Sequence, residues 1–253
     1  MSSTDPSGPL DPVAALERLG RLSLRENDMR SLLQSVAELA KEVMPGHPEA
    51  SVSLLINDRS STVVSTGRLA LDCDESQYGR GYGPCLHTAG TGEPVEVADA
   101  RTETRWRDYM AHAVEHGALS SLSLPLPINE GIAGALNVYS RKPHAFDEDS
   151  RSVATRFAGH AAVLTANMYA YEEARELVDH LERRMESRAV VERATGILME
   201  RYRLTADQAV QALARVARNT DSKVRNVADT LVRTGEFPQD RVDRPIGPPG
   251  TSS

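Results

Sequence analysis

The chain has few cysteines, the residues that cross-link small secreted domains through disulfides or bind metal ions through thiolates. Only two of its 253 residues are cysteines, Cys73 and Cys85, and their spacing is not Cys-x-x-Cys. A disulfide framework and a cysteine-based zinc site are therefore excluded. Aromatic residues are also scarce, at 4% of the sequence. In so aromatic-poor a chain, an aromatic side chain is expected in the core more often than in a binding site.

Long apolar runs are missing as well. None approaches the roughly 20 residues that cross a bilayer, and the first residues, Met-Ser-Ser-Thr-Asp-Pro-Ser-Gly, lack the basic and apolar regions of a signal peptide. We therefore expect a cytoplasmic protein without a membrane partner. Both ends are rich in Ser, Pro and Gly, which predicts disorder over most of residues 1–24 and over the tail 241–253.

Catalytic patterns are not recognised in the sequence. The histidines and acidic residues show no spacing typical of metal binding or of a nucleophile with its base. The run Gly79–Gly83 is superficially similar to a phosphate-binding loop, but it has no Lys-Ser/Thr and no strand–turn–helix context. We therefore expect no catalytic residues and no metal, and the sequence identifies no cofactor.

The order of periodic segments predicts an α+β domain over residues 25–165. Five segments have the period and composition of strands. These are Ser51–Ile56, Ser61–Thr66, Val95–Val97, Ser120–Leu126 and Gly131–Tyr139. Helical patterns cover Asp28–Val43 and Thr104–His116, and further helices are predicted to begin at Pro84 and Asp147. The residues between the second strand and Pro84 are predicted to form a loop rich in Asp and Gly. This order predicts one antiparallel sheet flanked by helices.

Three short amphipathic helical patterns predict a small module over residues 188–240. Thr205 and Gln208 have the spacing of a capping box, which predicts the start of the second helix. Ser222 is predicted to cap the third helix. Gly235 suits the left-handed position that follows a last helical turn.

The charge of this module differs from that of the rest of the chain. Residues 188–235 contain nine basic and five acidic side chains, a net charge of +4, whereas the whole chain carries −7. Nucleic-acid phosphate is a natural partner for such a module, because each neutralised phosphate releases counterions. Charge alone is equally compatible with a solvated helix face.

Residues 166–187 are predicted to form a coiled-coil-like linker within the long helix that begins at Asp147. Apolar residues recur along this helix at spacings of three and four, close to a heptad seam. They are Ala161, Leu164, Met168, Tyr171, Ala174, Val178, Leu181 and Met185. Two copies of such a helix would form a parallel homodimer. The alternative is that the first half of the seam covers the sheet and the second half packs on the three-helix module.

The three-helix module resembles the ANTAR family of RNA-binding antitermination domains. The resemblance rests on Ala194, Gly196, Ile197, Leu198 and Met199, then Ala209, Leu213 and Ala217, then Ala228. It implies that a dimer binds stem-loops in nascent transcripts. It also implies that Gly196 lets the RNA backbone approach closely, and that phosphates or bases are contacted by Arg188, Arg193, Arg201 and Arg203. Thr195 stands at an implied RNA contact where the family usually has Lys.

Residues 25–165 resemble a GAF domain. The resemblance rests on the turn Gly83-Pro84-Cys85, the segment Gly92–Val95 leading to Asp99, the strand Gly134–Val138 and the start of a helix at Phe146-Asp147. It implies a sensor fold that holds a small molecule or nothing, and the Asn-Lys-x-Phe-Asp-Glu run of cyclic-nucleotide-binding members is absent.

A candidate sensor pocket is assigned within this domain. Its residues are Tyr82, Cys85, His87, Trp106 and Tyr109. Cys85 and His87 are two residues apart, and a nearby imidazolium would lower the pKa of the thiol and make it a redox or ligand sensor. A buried structural cysteine is the alternative.

Two hypotheses of function follow. In the first, the GAF-like domain controls an ANTAR module that binds stem-loop RNA and promotes antitermination. In the second, the same basic face binds duplex DNA or an acidic protein, since helix–turn–helix readers also use three short helices. An enzyme in residues 25–165 is not supported, because no acid–base constellation is recognised there.

Overall fold

A computed structural model describes residues 9–56, 59–129 and 131–237. The chain divides into two compact units, the first ending at Glu173 and the second beginning at Ala174. The helices and strands are α1 (Pro12–Gly20), α2 (Met29–Val43), β1 (Glu49–Ile56), β2 (Arg59–Ser65), α3 (Arg68–Arg80), α4 (Pro84–Thr91), β3 (Val95–Val97), α5 (Arg107–Glu115), β4 (Ser120–Asn129), β5 (Ile132–Ser140), α6 (Glu148–Tyr202), α7 (Ala206–Asn219) and α8 (Val224–Thr234).

The first unit is built on one five-stranded sheet. The strand order is β2-β1-β5-β4-β3, and all neighbours are antiparallel. This confirms the predicted α+β fold with its antiparallel sheet and flanking helices. The ends of the strands differ from the predicted ones, most clearly in β4, which continues to Asn129 through residues predicted as a turn. Of the predicted hairpin loop, Asn57 and Asp58 lie outside the described residues, and Arg59 already belongs to β2.

Alternation along the strands gives this sheet two different faces. Leu122, Leu124 and Leu126 of β4 point to one side, into a large apolar core formed with α1, α2 and the first part of α6. The opposite side, which we call the polar face, lies against α3 and α4. It carries the buried residues Ser51, Ser53, Ser123, Asn137 and Tyr139.

Helix α1 lies inside the segment that was expected to be mostly disordered. Asp11 caps it by accepting a hydrogen bond from the Ala14 amide (3.3 Å), Pro12 occupies the first helical turn, and Leu19 is buried in the core. The prediction of disorder is therefore wrong for residues 12–20. Residues 1–8 and the predicted tail 241–253 lie outside the described residues.

Helix α3 occupies the segment predicted to be a loop, and that prediction is wrong. Its buried side mixes apolar side chains with Asp74, Ser76 and Gln77. It therefore lacks the apolar stripe by which an amphipathic helix is recognised in a sequence. The glycine-rich run that follows ends α3, with Gly81 at a left-handed C-cap (φ 74°), and leads into α4.

The second unit packs the end of α6 against α7 and α8 around a core of its own. Each helix contributes one fully buried leucine, and these are Leu198, Leu213 and Leu231. Within the described residues, no side chain of this core belongs also to the cores of the first unit.

The ends of these helices follow most of the predicted capping. The Gln208 amide donates to Thr205 Oγ1 (3.3 Å) and the Thr205 amide donates to Gln208 Oε1 (2.9 Å), so the capping box is present. Gly235 ends α8 with a φ of 71°. The prediction for Ser222 is wrong, because Lys223 is the N-cap of α8 and no side chain bonds there.

The apolar seam predicted along α6 is divided between two environments. Its first half, consisting of Ala161, Leu164, Met168 and Tyr171, packs in the apolar core of the first unit. In the second unit, Val178, Leu181 and Met185 are 52%, 47% and 72% exposed. This second half does not pack on the three-helix core. We call Ala174, Val178, Leu181 and Met185 the α6 stripe.

Among the described residues, no helix combines the length and the apolar composition that a membrane span requires.

Candidate functional site

A buried carboxyl group, that of Asp74, lies between the polar face and α3. Its Oδ1 accepts a hydrogen bond from the Tyr139 hydroxyl (2.6 Å), and its Oδ2 accepts from the hydroxyls of Thr62 (2.9 Å) and Ser53 (3.2 Å). No cation among the described residues pairs with it. Burial therefore raises the pKa of Asp74 above the usual range of a carboxyl group, and the hydroxyl donors oppose that rise.

The Gln77 side chain links the residues around Asp74 to α4 and α5 through hydrogen bonds. Its Nε2 donates to the hydroxyls of Tyr139 (3.2 Å) and Tyr109 (3.3 Å), and its Oε1 accepts from the backbone amide of Cys85 (2.8 Å). Gly83 permits this last contact, because its φ is 149° and a Cβ there would collide with the Gln77 side chain. We call the connected group the polar interior; it comprises Ser53, Thr62, Asp74, Gln77, Cys85, Tyr109, Asn137 and Tyr139.

Two buried polar atoms beside this network have no hydrogen-bond partner among the described residues, Ser123 Oγ and Asn137 Oδ1. Their residues face each other across β4 and β5. The Asn137 amide nitrogen lies 3.2 Å from both Ser53 Oγ and Cys85 Sγ. Leaving a buried polar group without a partner costs about 1–3 kcal/mol. This corner of the polar face therefore holds two buried polar atoms that the described residues leave without a hydrogen bond.

The five residues of the predicted sensor pocket differ in their burial. Cys85 and Tyr109 belong to the polar interior and are each 1% exposed. Tyr82 and His87 are exposed, and the Tyr82 hydroxyl donates to Asp108 (3.3 Å). Trp106 is half-buried against the apolar cluster that contains Tyr109, with its ring 5.8 Å from the His87 ring.

His87 does not activate Cys85, and the hypothesis that it lowers the pKa of this thiol is wrong. Two residues along a helix point in nearly opposite directions, so Cys85 is buried while His87 is exposed. Burial, followed by the nearby Asp74, raises the pKa of the Cys85 thiol to about 12. The same causes raise the pKa of Cys73 to about 12. Both thiols are protonated at neutral pH, so this interior is suited to hydrogen bonding rather than to thiolate chemistry.

In the second unit, the four arginines predicted to contact RNA are all exposed. Arg188 pairs with Glu192 (2.8 Å) and Arg203 with Glu200 (3.2 Å). Exposed pairs of this kind contribute only about 0–1 kcal/mol, so a polyanion displaces them at little cost.

Arg193 and Arg201 differ in their hydrogen-bond partners. Arg193 donates to the Ala189 carbonyl oxygen of its own helix (3.3 Å). Arg201 donates from Nη1 to the carbonyl oxygen of Gly235 (2.7 Å) and so also holds the end of α8. A loss of Arg201 would therefore change both the charge and the packing of the second unit.

Thr195 and Gly196 differ from the four arginines in their surroundings. Thr195 is 8% exposed, and its hydroxyl donates to the Val191 carbonyl oxygen (2.8 Å). In contrast to the prediction of an RNA contact, this side chain is not presented to solvent. Gly196 is exposed, and a Cβ built there meets no atom within 4 Å. Because glycine inside a helix costs about 0.5–1 kcal/mol relative to alanine, the described fold gives no reason for glycine here.

Three further exposed cations were not singled out from the sequence. Arg215 and Arg218 of α7 and Lys223 before α8 form no ion pair with any described residue. The signal was present, because the two arginines fall between the apolar positions of the second helical pattern. They enlarge the basic surface of the second unit.

A second overlooked group lies on α5 in the first unit. His112, Glu115 and His116 follow the spacing i, i+3, i+4, which places them on one side of a helix. One nitrogen from each imidazole and one carboxylate oxygen lie within 4.8 Å of one another. This spacing was not singled out from the sequence, and the expectation of no metal stays a prediction.

Comparisons with known proteins agree with the division into two units. A family model for the GAF domain matches residues 26–165, and one for the ANTAR domain matches residues 179–232. No curated protein matches the chain significantly.

Solved structures share the fold of the first unit. The phycoerythrobilin-bound GAF domain of a cyanobacterial phytochrome is 11% identical with a TM-score of 0.52, over 64% of this chain and 98% of that chain. The reduced form of fRMsr from Staphylococcus aureus is 15% identical with a TM-score of 0.50, over 66% and 100% of the two chains. Identities this low establish the fold alone. The two family matches establish more: this chain belongs to the GAF domain family and carries an ANTAR domain after its GAF domain.

Proposed function

We propose that this chain is a cytoplasmic transcription regulator in which the GAF domain controls an ANTAR domain that binds stem-loop RNA and promotes antitermination. The observation that carries the proposal is the ANTAR match over a three-helix unit whose predicted RNA-contacting arginines are exposed. Arginine supplies affinity for phosphates, while contacts to unpaired loop bases supply selectivity. The role requires no covalent chemistry.

The polar interior is the part of the GAF domain that supports a sensing role. We infer that its ligand is a small polar molecule that bonds to Ser123 Oγ and Asn137 Oδ1, the two buried atoms without partners. A ligand that binds only the folded domain stabilises it by mass action. Tyr82, His87 and Trp106 lie outside this interior and are not part of the inferred site.

Removing two exposed arginines from the ANTAR domain is expected to weaken RNA binding. In the variant Arg188→Ala/Arg193→Ala, the loss of two phosphate contacts should lower the affinity about tenfold at moderate salt and reduce the slope of log K against log salt by roughly 1.4–1.8. Gel-shift titrations of a tandem stem-loop RNA at several salt concentrations measure both quantities.

The matched control is the variant Arg156→Ala/Arg175→Ala. It removes two exposed arginines of α6 that lie outside the ANTAR match and should leave the affinity unchanged.

The variant Gly196→Ala tests, at constant charge, whether the RNA approaches this position closely. It should stabilise the second unit by about 0.5–1 kcal/mol, since alanine favours helix, while its methyl group weakens RNA binding. Unchanged affinity in both Gly196→Ala and Arg188→Ala/Arg193→Ala would contradict the assignment to RNA.

The same assay separates this proposal from a DNA-binding role. Duplex DNA of matched charge should compete weakly with the stem-loop RNA at moderate salt. If duplex DNA bound as tightly as the RNA, the DNA-binding hypothesis, with recognition of the helix–turn–helix type, would replace the antitermination proposal.

We further infer that the regulator is a homodimer formed through the α6 stripe. The spacing of its residues, four, three and four, is that of the a and d positions of a heptad. Three of its members are large apolar side chains left about half exposed or more in the single chain. A dimer would bring two ANTAR domains to one RNA.

Leu181→Glu is expected to convert the dimer into a monomer, because two facing glutamates would have to be buried in the seam. Sedimentation velocity at micromolar concentration measures the change in mass. Arg184→Glu introduces the same residue at an exposed position outside the stripe and should remain dimeric. A wild-type chain that sediments only as a monomer would end the dimer proposal.

A further inference from the structure

The exposed side of α5 carries side chains with the composition of a transition-metal site. Tyr109, Met110 and Ala113 bury the opposite side of this helix. Glu115 is its last residue and His116 its C-cap. The rings of His112 and His116 stand 4.0 Å apart between centroids, and Glu115 offers its carboxylate to the same space.

The surroundings of His116 favour the form of imidazole that binds metal ions. Its Nδ1 lies 2.9 Å from the carbonyl oxygen of His112. A hydrogen bond from Nδ1–H to a backbone carbonyl leaves the Nε2 lone pair free, and contacts of this kind orient metal-bound histidines. The same turn is the negative end of the helix dipole, which attracts a cation.

We propose that His112, Glu115 and His116 form a binding site for Zn²⁺, with a fourth coordination position open to water. Two imidazoles and one carboxylate are ligands that zinc prefers, whereas magnesium and calcium prefer oxygen alone. Metal–ligand distances of about 2.0–2.2 Å bring the ligand atoms closer together than the 4.8 Å limit within which these atoms lie. Torsion changes in the two exposed side chains, Glu115 and His116, supply that movement.

The site has a local consequence for the GAF domain. All three ligands lie within one turn, so a bound ion links the last residues of α5 to each other and opposes fraying of the helix end. The buried side of the same helix carries Tyr109, whose hydroxyl accepts from Gln77 in the polar interior. Zinc would therefore steady a helix that contributes to the inferred ligand site, and this holds whether or not the second unit binds RNA.

The test titrates Zn²⁺ alone into the full chain without an affinity tag, in competition with a chromogenic chelator. The wild-type chain should bind one zinc ion. His116→Ala should bind it at least tenfold more weakly, since even loss of a group that orients a ligand costs about 10–100-fold. Glu115→Gln should also weaken binding, and amide exchange at the end of α5 should slow on zinc addition in the wild type only.

The matched control is His160→Ala. His160 is also exposed and its Nδ1 lies 2.9 Å from the carbonyl oxygen of Arg156, the same local contact as in His116. Unlike His116, it has no ring contact with another histidine among the described residues. This variant should keep the wild-type zinc affinity. Zinc binding that is not saturable, or that is equal in His116→Ala and the wild-type chain, would overturn the proposal.

Discussion

The variant Asp74→Asn is expected to resist urea better than the wild-type chain near pH 8, with an advantage that shrinks toward pH 4. The pKa of Asp74 is raised from 3.8 in the folded chain by burial. Between the unfolded and the folded pKa only the folded state binds the proton, so wild-type stability falls as pH rises. The loss is about 1.4 kcal/mol per pH unit and is complete above the folded pKa.

Asparagine avoids this loss because it is neutral at every pH. Its amide keeps an acceptor for the Tyr139 hydroxyl, and the hydroxyls of Ser53 and Thr62 can rotate to accept from its amino group. Urea unfolding midpoints of both chains at about pH 4, 6 and 8 measure the difference, which isolates Asp74 from other carboxyl groups.

Asp72→Asn is the control, because Asp72 is a half-buried carboxylate of the same helix that, unlike Asp74, pairs with a cation, Arg68 at 2.8 Å. It should show no gain in stability with rising pH. An Asp74→Asn variant less stable than wild type at every pH would mean that the three hydroxyl donors favour the ionised carboxylate more than burial disfavours it.

The largest loss of stability is expected in the second unit. Leu213 of α7 is fully buried between α6 and α8, and Leu213→Ala should cost about 2–5 kcal/mol through lost burial and the cavity left behind. Because this core shares no described residue with the sheet cores, amide exchange should accelerate in α7 and α8 while β4 and β5 keep their protection. Peptide-resolved hydrogen exchange measures both regions in one sample.

Val210→Ala is the matched control on the same helix, since Val210 is 45% exposed. It removes apolar side-chain volume without opening a cavity and should change exchange little. Equal acceleration in β4 and in α7 after Leu213→Ala would contradict the independence of the two cores.

The parts of this fold that the sequence predicts are those with a local signal. Ser121, Leu122, Ser123 and Leu124 alternate, and the alternation predicts both the strand and its two unlike faces. The capping box at Thr205 predicts the start of α7 for a similar reason, because both partners are three residues apart.

The candidate site has no such local signal. The polar interior joins Ser53, Asp74 and Tyr139, which packing alone brings together from β1, α3 and β5. Helix α3 was missed for the same reason, since its buried side is polar toward this interior and matches no amphipathic pattern. Cys85 and His87 show the reverse error: they are close in the chain, but α4 carries both and directs Cys85 to its buried side and His87 to solvent.

The two protonated thiols give the chain a built-in reporter of how often its GAF domain opens. Cys73 and Cys85 lie on α3 and α4, the helices that cover the polar face, and the second unit contains no cysteine. Because the thiolate is the reactive form, a buried thiol with a pKa of about 12 reacts only after the packing above it has loosened. The rate of alkylation in the wild-type chain thus measures how often these two helices open, without an introduced label and without any signal from the second unit.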